Sequence, residues 1–222
     1  MPHGRQLAGG GGIVFAASLT VGFTLFGPKG GRYSADEIGA FVGQTATSLI
    51  ASVYLVAASI IGLIVLMAYL SETMGAGAYR RITWATSVLA AGSFLIGWCL
   101  YLTPSTAVLA AGPAPDAALS HTIITAGFVL VFGASGILFG IALVTFALGA
   151  GVTAAWARAL SGLAGLGAFL SWAFILALGW SPNQWLPAPF YLVVLWGLVM
   201  GVWLIVSPSP NALTRTTPPP LR

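Results

Sequence analysis

The chain is 222 residues long and 58% hydrophobic, with eight Lys and Arg, four Asp and Glu, and a formal net charge of +4. Charged side chains form 5% of it, against about a quarter of an ordinary soluble domain, and the mean hydropathy is +0.97. This excludes a soluble globular fold, predicts an all-α polytopic membrane bundle, and leaves too few cations for the basic face that a nucleic acid requires.

Crossing about 30 Å of hydrocarbon takes about 20 apolar residues, and six charge-free runs of that order follow one another. The first covers about Leu7 to Gly27 and ends in Phe26-Gly27-Pro28-Lys29. That ending is no small-x-small cleavage site, so a retained helix is expected rather than a signal peptide. Lys29, Arg32, Asp36 and Glu37 are confined to the connection that follows. There Ser34-Ala35-Asp36-Glu37 matches a capping box, and Ile38, Phe41 and Val42 fall on one face, which predicts a short interfacial helix or an early start of the second span.

The second span is expected over about Thr47 to Leu70, and the third over about Ile82 to Thr103, stopping at Pro104. The fourth, about Thr122 to Gly149, is long enough to tilt or project from the bilayer. The fifth runs from about Ala159 to Trp180, and the sixth from about Pro189 to Val206. The stretch 1–206 thus reads as one six-helix transmembrane domain. The Pro-rich stretch 207–222 reads as a disordered cytoplasmic tail.

The basic residues set the orientation. With six spans, Arg5, Arg80, Arg81, Arg158, Arg215 and Arg222 share one side, and Lys29 and Arg32 the other. Arg80, Arg81 and Arg158 sit in short loops beside helix ends and act as cytoplasmic anchors, so both termini are expected inside a plasma membrane. A 74-residue shift also lays Leu95-Ile96-Gly97-Trp98 over Phe169-Leu170-Ser171-Trp172 and Gly62 over Gly136. That overlay suggests a parallel repeat of the second-third and fourth-fifth hairpins.

Small residues recur at helix-packing spacing. Gly133, Gly136 and Gly140 in the fourth span and Gly197 and Gly201 in the sixth let another helix approach closely, within the chain or in another membrane protein or second copy. Ion-coupled transport ordinarily keeps a charged group inside the membrane, and no carboxylate, His, Lys or Arg lies within the spans. His3 and His121 are the two histidines, and Cys99 is the one cysteine, set in an apolar stretch where burial is expected. No metal and no cofactor is expected from this inventory. Hydroxyls such as Ser52, Ser59 and Thr145 are expected to bond helix backbone or to line a polar path, in which case Tyr54, Trp98 and Trp172 are the aromatic residues placed to line it.

The string Gly133-Ala134-Ser135-Gly136 resembles the Gly-x-Ser-Gly nucleophile motif of rhomboid intramembrane proteases, which have six core helices and carry that Ser on the fourth. Rhomboids pair it with a His on the sixth helix, which has none here, so the resemblance implies at most an inactive rhomboid-like fold. Over nearly its whole length the chain resembles uncharacterised six-helix integral membrane proteins of GC-rich bacteria, catalogued as domains of unknown function. The likeness lies in the polar 34–44 lead-in to a helix ending Ala68-Tyr69-Leu70, and in the Trp156-Ala157-Arg158-Ala159-Leu160 boundary. It implies a fold and no activity. The leading functional expectation is a non-enzymatic membrane protein, structural or an accessory subunit. The alternative is a carrier or binding protein for a lipid or small neutral solute.

Overall fold

The computed structural model describes residues 2–26, 37, 40, 42, 48–111, 116–150, 154–178 and 191–207. Among them every element is helical: α1 (Pro2–Phe26), α2 (Leu49–Glu72), α3 (Ala78–Ala111), α4 (Ala117–Phe128), α5 (Ser135–Gly149), α6 (Ala155–Leu178) and α7 (Tyr191–Val206). A π-helical stretch, Val129–Ala134, joins α4 to α5, so residues 117–149 form one rod. Among the described residues three helices are long and apolar enough to cross a membrane, over Ala51–Glu72, Ala78–Val108 and Ala117–Gly149.

Helix boundaries differ from the sequence reading where polar caps and hydroxyls intervene. α1 starts five residues earlier than Leu7, at Pro2, a residue whose fixed φ suits a first helical position. The fourth rod starts at Ala117 because the Asp116 carboxylate accepts the Leu119 amide at 3.0 Å, an N-cap that the span boundary at Thr122 missed. The third helix does not stop at Pro104; it runs through to Ala111. In the turns around that proline the Thr103 hydroxyl donates to the Cys99 carbonyl and the Thr106 hydroxyl to those of Leu102 and Thr103. The interfacial-helix expectation rests on Ser34 and its neighbours, which lie largely outside the described residues; Glu37, Ala40 and Val42 are helical, and Val42 is buried. The tail expectation lies outside them too, beyond Ser207.

Glycine decides how closely the helices approach. A helix containing Gly9-Gly10-Gly11-Gly12 gives up about 1 kcal/mol per glycine relative to alanine, and packing offsets that. A Cβ on Gly12 would lie 2.6 Å from the Gly197 carbonyl, and one on Gly9 would lie 2.8 Å from that of Gly201, both on α7. On another face of α1, a Cβ at Gly11 would meet the Gly62 carbonyl of α2 at 2.6 Å. The rod 117–149 repeats the arrangement. Gly127 meets Gly97 and Tyr101 of α3, and Gly136 and Gly140 meet Ala168 and Gly165 of α6.

Two three-helix lobes result. In one, α1 lies between α2 and α7; in the other, the 117–149 rod lies between α3 and α6. The paired positions Gly11–Gly62, Gly12–Gly201, Gly97–Gly127 and Gly140–Gly165, with Trp203 beside Trp156, make every one of these neighbours antiparallel. The central helices of the two lobes therefore point in opposite directions. Mapping α1, α2 and α3 onto the 117–149 rod, α6 and α7 lays each glycine-packed junction on a glycine-packed one, and α2–α3 on α6–α7, with the direction reversed. The relation is inverted, not the parallel one that the 74-residue shift suggested, and the shift fails locally as well, because Gly62 faces α1 whereas Gly136 faces α6.

Candidate functional site

The lobes meet along a seam formed by side chains. α2 lies against α3 and α6 against α7, and no glycine described here brings backbone to backbone across either junction. At the centre of the seam is a cavity of about 10 Å³, room for about one water. Phe15 of α1 and Ser59, Ile60 and Leu63 of α2 line it from one lobe, and Ala91 and Phe94 of α3 and Phe139 of α5 line it from the other. Ser59 does not offer its proton to the cavity, because its hydroxyl donates to the Val56 carbonyl at 2.8 Å. Its wall is therefore apolar.

Trp98 stacks parallel to Phe94 at 6.3 Å, and Tyr101 follows at 5.6 Å, so an aromatic column climbs α3 from the cavity. Ser52 lies on the same face of α2 as Ser59, two turns farther from Glu72. It is fully buried, and its hydroxyl has no hydrogen-bond partner among the described residues.

Of the three aromatic residues expected to line a path, Trp98 is buried in this column, but Tyr54 is 73% exposed and points out of the bundle, so it lines no interior path. The Trp172 side chain lies outside the described residues. Cys99, expected to be buried, is exposed on the outer face of α3, one position past Trp98 where the helix has turned away from the core.

Most hydroxyls are satisfied within their own helix. Ser135, at the rhomboid-like string, is fully buried and donates to the Val131 carbonyl within the π-helical stretch, which leaves that hydroxyl committed to backbone. Gly133 is buried in the same stretch. Other hydroxyls among the described residues join helices instead. Thr83 and Thr145 hydroxyls meet at 2.8 Å between α3 and α5, and the Trp196 indole donates to the Ser161 hydroxyl at 2.8 Å across the α6–α7 junction. Ser161→Ala strands that buried indole donor and should cost about 1–2 kcal/mol. Trp196→Phe made on top of it should cost less than it does alone, a non-additivity that a double-mutant cycle in thermal unfolding measures.

The end of the bundle that holds the start of α1 and the α2–α3 turn gathers the cations. The Arg5 guanidinium donates to the Trp203 carbonyl at 3.5 Å, and Arg158 Nε to the Ala147 carbonyl at 2.9 Å. Each thus places positive charge on the carbonyl-rich last turn of a neighbouring helix. Arg158 is thus a capping residue, and Arg158→Met should lower stability by about 1 kcal/mol in the same unfolding assay. Arg80 and Arg81 are exposed beside exposed Tyr79 and Trp84, and Glu72 is the one acidic residue described at that end. Asp116 and His121 lie at the opposite end, on the first turns of α4.

The five glycines singled out for packing are all inside the bundle or its π-helical stretch, and those with close neighbours find them within this chain. Gly136 and Gly140 face α6, and Gly197 and Gly201 face α1. Sequence reasoning missed Gly11, Gly97 and Gly127 as contact points and Phe15, Phe94 and Phe139 as cavity walls. The Gly9–Gly12 run was the available signal, since so many helix-weakening residues in a row need a neighbour to justify them. Comparison of the chain with protein-family models, with curated proteins and with solved structures finds no match in any of the three.

Proposed function

We propose that the chain is a non-enzymatic plasma-membrane protein of six spans, with the arginine-rich end and both termini in the cytoplasm, and that it carries or holds a lipid or small neutral solute between its two lobes. The observation that supports this most is the inverted pairing of lobes with a cavity on their seam, the arrangement that secondary transporters use to present a midplane site alternately to two sides. An uncharged cargo needs no buried carboxylate or cation, which accords with the charge-free spans. Exposed large apolar residues such as Ile61, Leu89 and Leu163 suit a surface bathed in acyl chains. The arginine distribution supports the orientation through the positive-inside rule.

The accessory-subunit reading takes second place because its motivation was the small-residue faces, and the glycines that carry them contact helices of the same chain. Mass spectrometry of the tagged protein, gently extracted from its native membrane, tests the choice. A retained lipid or small solute in stoichiometric amount is expected. A stoichiometric protein partner with no bound small molecule would overturn the carrier reading in favour of the accessory one.

A further inference from the structure

We infer that the seam cavity is the closed form of a binding site for a small uncharged amphiphile, with its apolar part among Phe15, Phe94 and Phe139 and its oxygen at Ser52. The inference rests on the carrier reading above and gives it a ligand class.

The cavity belongs to neither lobe: four of its walls come from the α1–α2 side and three from the α3–α5 side. Within each lobe, helices touch backbone to backbone through glycine, so neither lobe has slack to open internally. Between lobes the contact is made by side chains, which can rotate and slide, so the seam is where the bundle parts at least cost. Parting it enlarges the cavity from the centre.

The wall chemistry sets the ligand. Three phenylalanines, an isoleucine, a leucine and an alanine offer no partner to a charge, and the one hydroxyl among them is spent on its own helix. Ser52 supplies the missing polar contact. A fully buried hydroxyl without a partner costs on the order of 1–3 kcal/mol, and this one lies on the cavity-facing side of α2, seven residues from Ser59, or about 10 Å at 1.5 Å per residue. A chain or ring of about that length ending in an alcohol, ether or carbonyl oxygen satisfies both ends at once. A charged head does not, because nothing described near either end balances it.

The probe is azi-octanol, a photoactivatable straight-chain alcohol, applied to the whole protein in liposomes, with adducts mapped by mass spectrometry. Saturable adducts on Phe15, Phe94, Phe139 or Ile60, displaced by excess octanol, are expected above the unsaturable labelling of lipid-facing Leu89 and Leu163. Ser52→Ala should lower the saturable component about tenfold, the worth of one hydrogen bond of about 1.4 kcal/mol. Phe139→Trp should remove it by filling the cavity, and Ala91→Leu fills the same space from α3 should that variant fail to fold. Adducts confined to lipid-facing residues, or saturable labelling unchanged in Ser52→Ala and in a folded cavity-filling variant, would overturn the site. Saturable labelling together with no solute retained by the native protein would keep the site and remove the carrier reading; a retained solute without cavity labelling would do the reverse.

Discussion

Leucine at position 12 should prevent the bundle from folding, whereas alanine at position 10, two residues earlier in the same glycine run, should leave it intact. A Cβ on Gly12 lies 2.6 Å from the Gly197 carbonyl and 2.9 Å from Gly201 Cα, both backbone atoms that no rotamer change can move aside. Overpacking commonly costs about 1–3 kcal/mol where side chains relax. Here α1 and α7 must separate, so a loss above 3 kcal/mol is expected, a large part of the 5–15 kcal/mol that holds a typical domain together. Gly10 has nothing within 4 Å of its Cβ position, so Gly10→Ala gains helix propensity without a clash. The mirror experiment belongs to the other lobe. A Cβ on Gly127 lies 2.5 Å from both the Gly97 carbonyl and the Tyr101 amide, so Gly127→Leu should be as damaging as Gly12→Leu. Thermal unfolding in detergent, followed by circular dichroism and size-exclusion elution, reads all three.

Phe139→Ala should be the most costly truncation in the cavity wall, at about 2–3 kcal/mol. Phe139 is 1% exposed and among the largest fully buried side chains, and it already borders empty space, so the surroundings have little with which to close the gap. In a soluble core the same change costs about 3–5 kcal/mol, part of it lost transfer from water. In a bilayer the surroundings are as apolar as the core, so what remains is chiefly the lost dispersion contact. Leu163→Ala on the outer face, 62% exposed, should move stability by no more than about 0.5 kcal/mol.

These two results depend on features of very different visibility in the sequence. The helical class and the position of each helix were legible, because charge-free apolar runs of span length leave little choice once backbone groups must be satisfied internally. Ends were less so: Asp116 as an N-cap starts the fourth rod before the hydropathy boundary, and the third helix runs through Pro104 rather than ending at it. The close packing of Gly136, Gly140, Gly197 and Gly201 was readable from spacing. Which helix each one faces was not, because an apolar helix with weak amphipathicity does not announce its inner side. For the same reason Tyr54 and Trp98 looked alike, though one faces outward and the other packs in the aromatic column. The inverted relation of the lobes was hidden for a further reason. It is a relation between neighbours in space and directions, and apolar residues of similar kind align at many shifts, including the parallel one.

The account stands first on the bundle crossing a membrane with its arginine-rich end inside. Cysteine accessibility tests this directly. In a Cys99→Ser background, Ala76→Cys places a thiol in the exposed α2–α3 turn beside Arg80 and Arg81, and Ala118→Cys places one on the exposed first turn of α4 at the other end. Treated with a membrane-impermeant maleimide while the plasma membrane is intact, the protein should be labelled at position 118 at once and at position 76 only after permeabilisation. Labelling of both positions from one side, or of position 76 from outside, would contradict it.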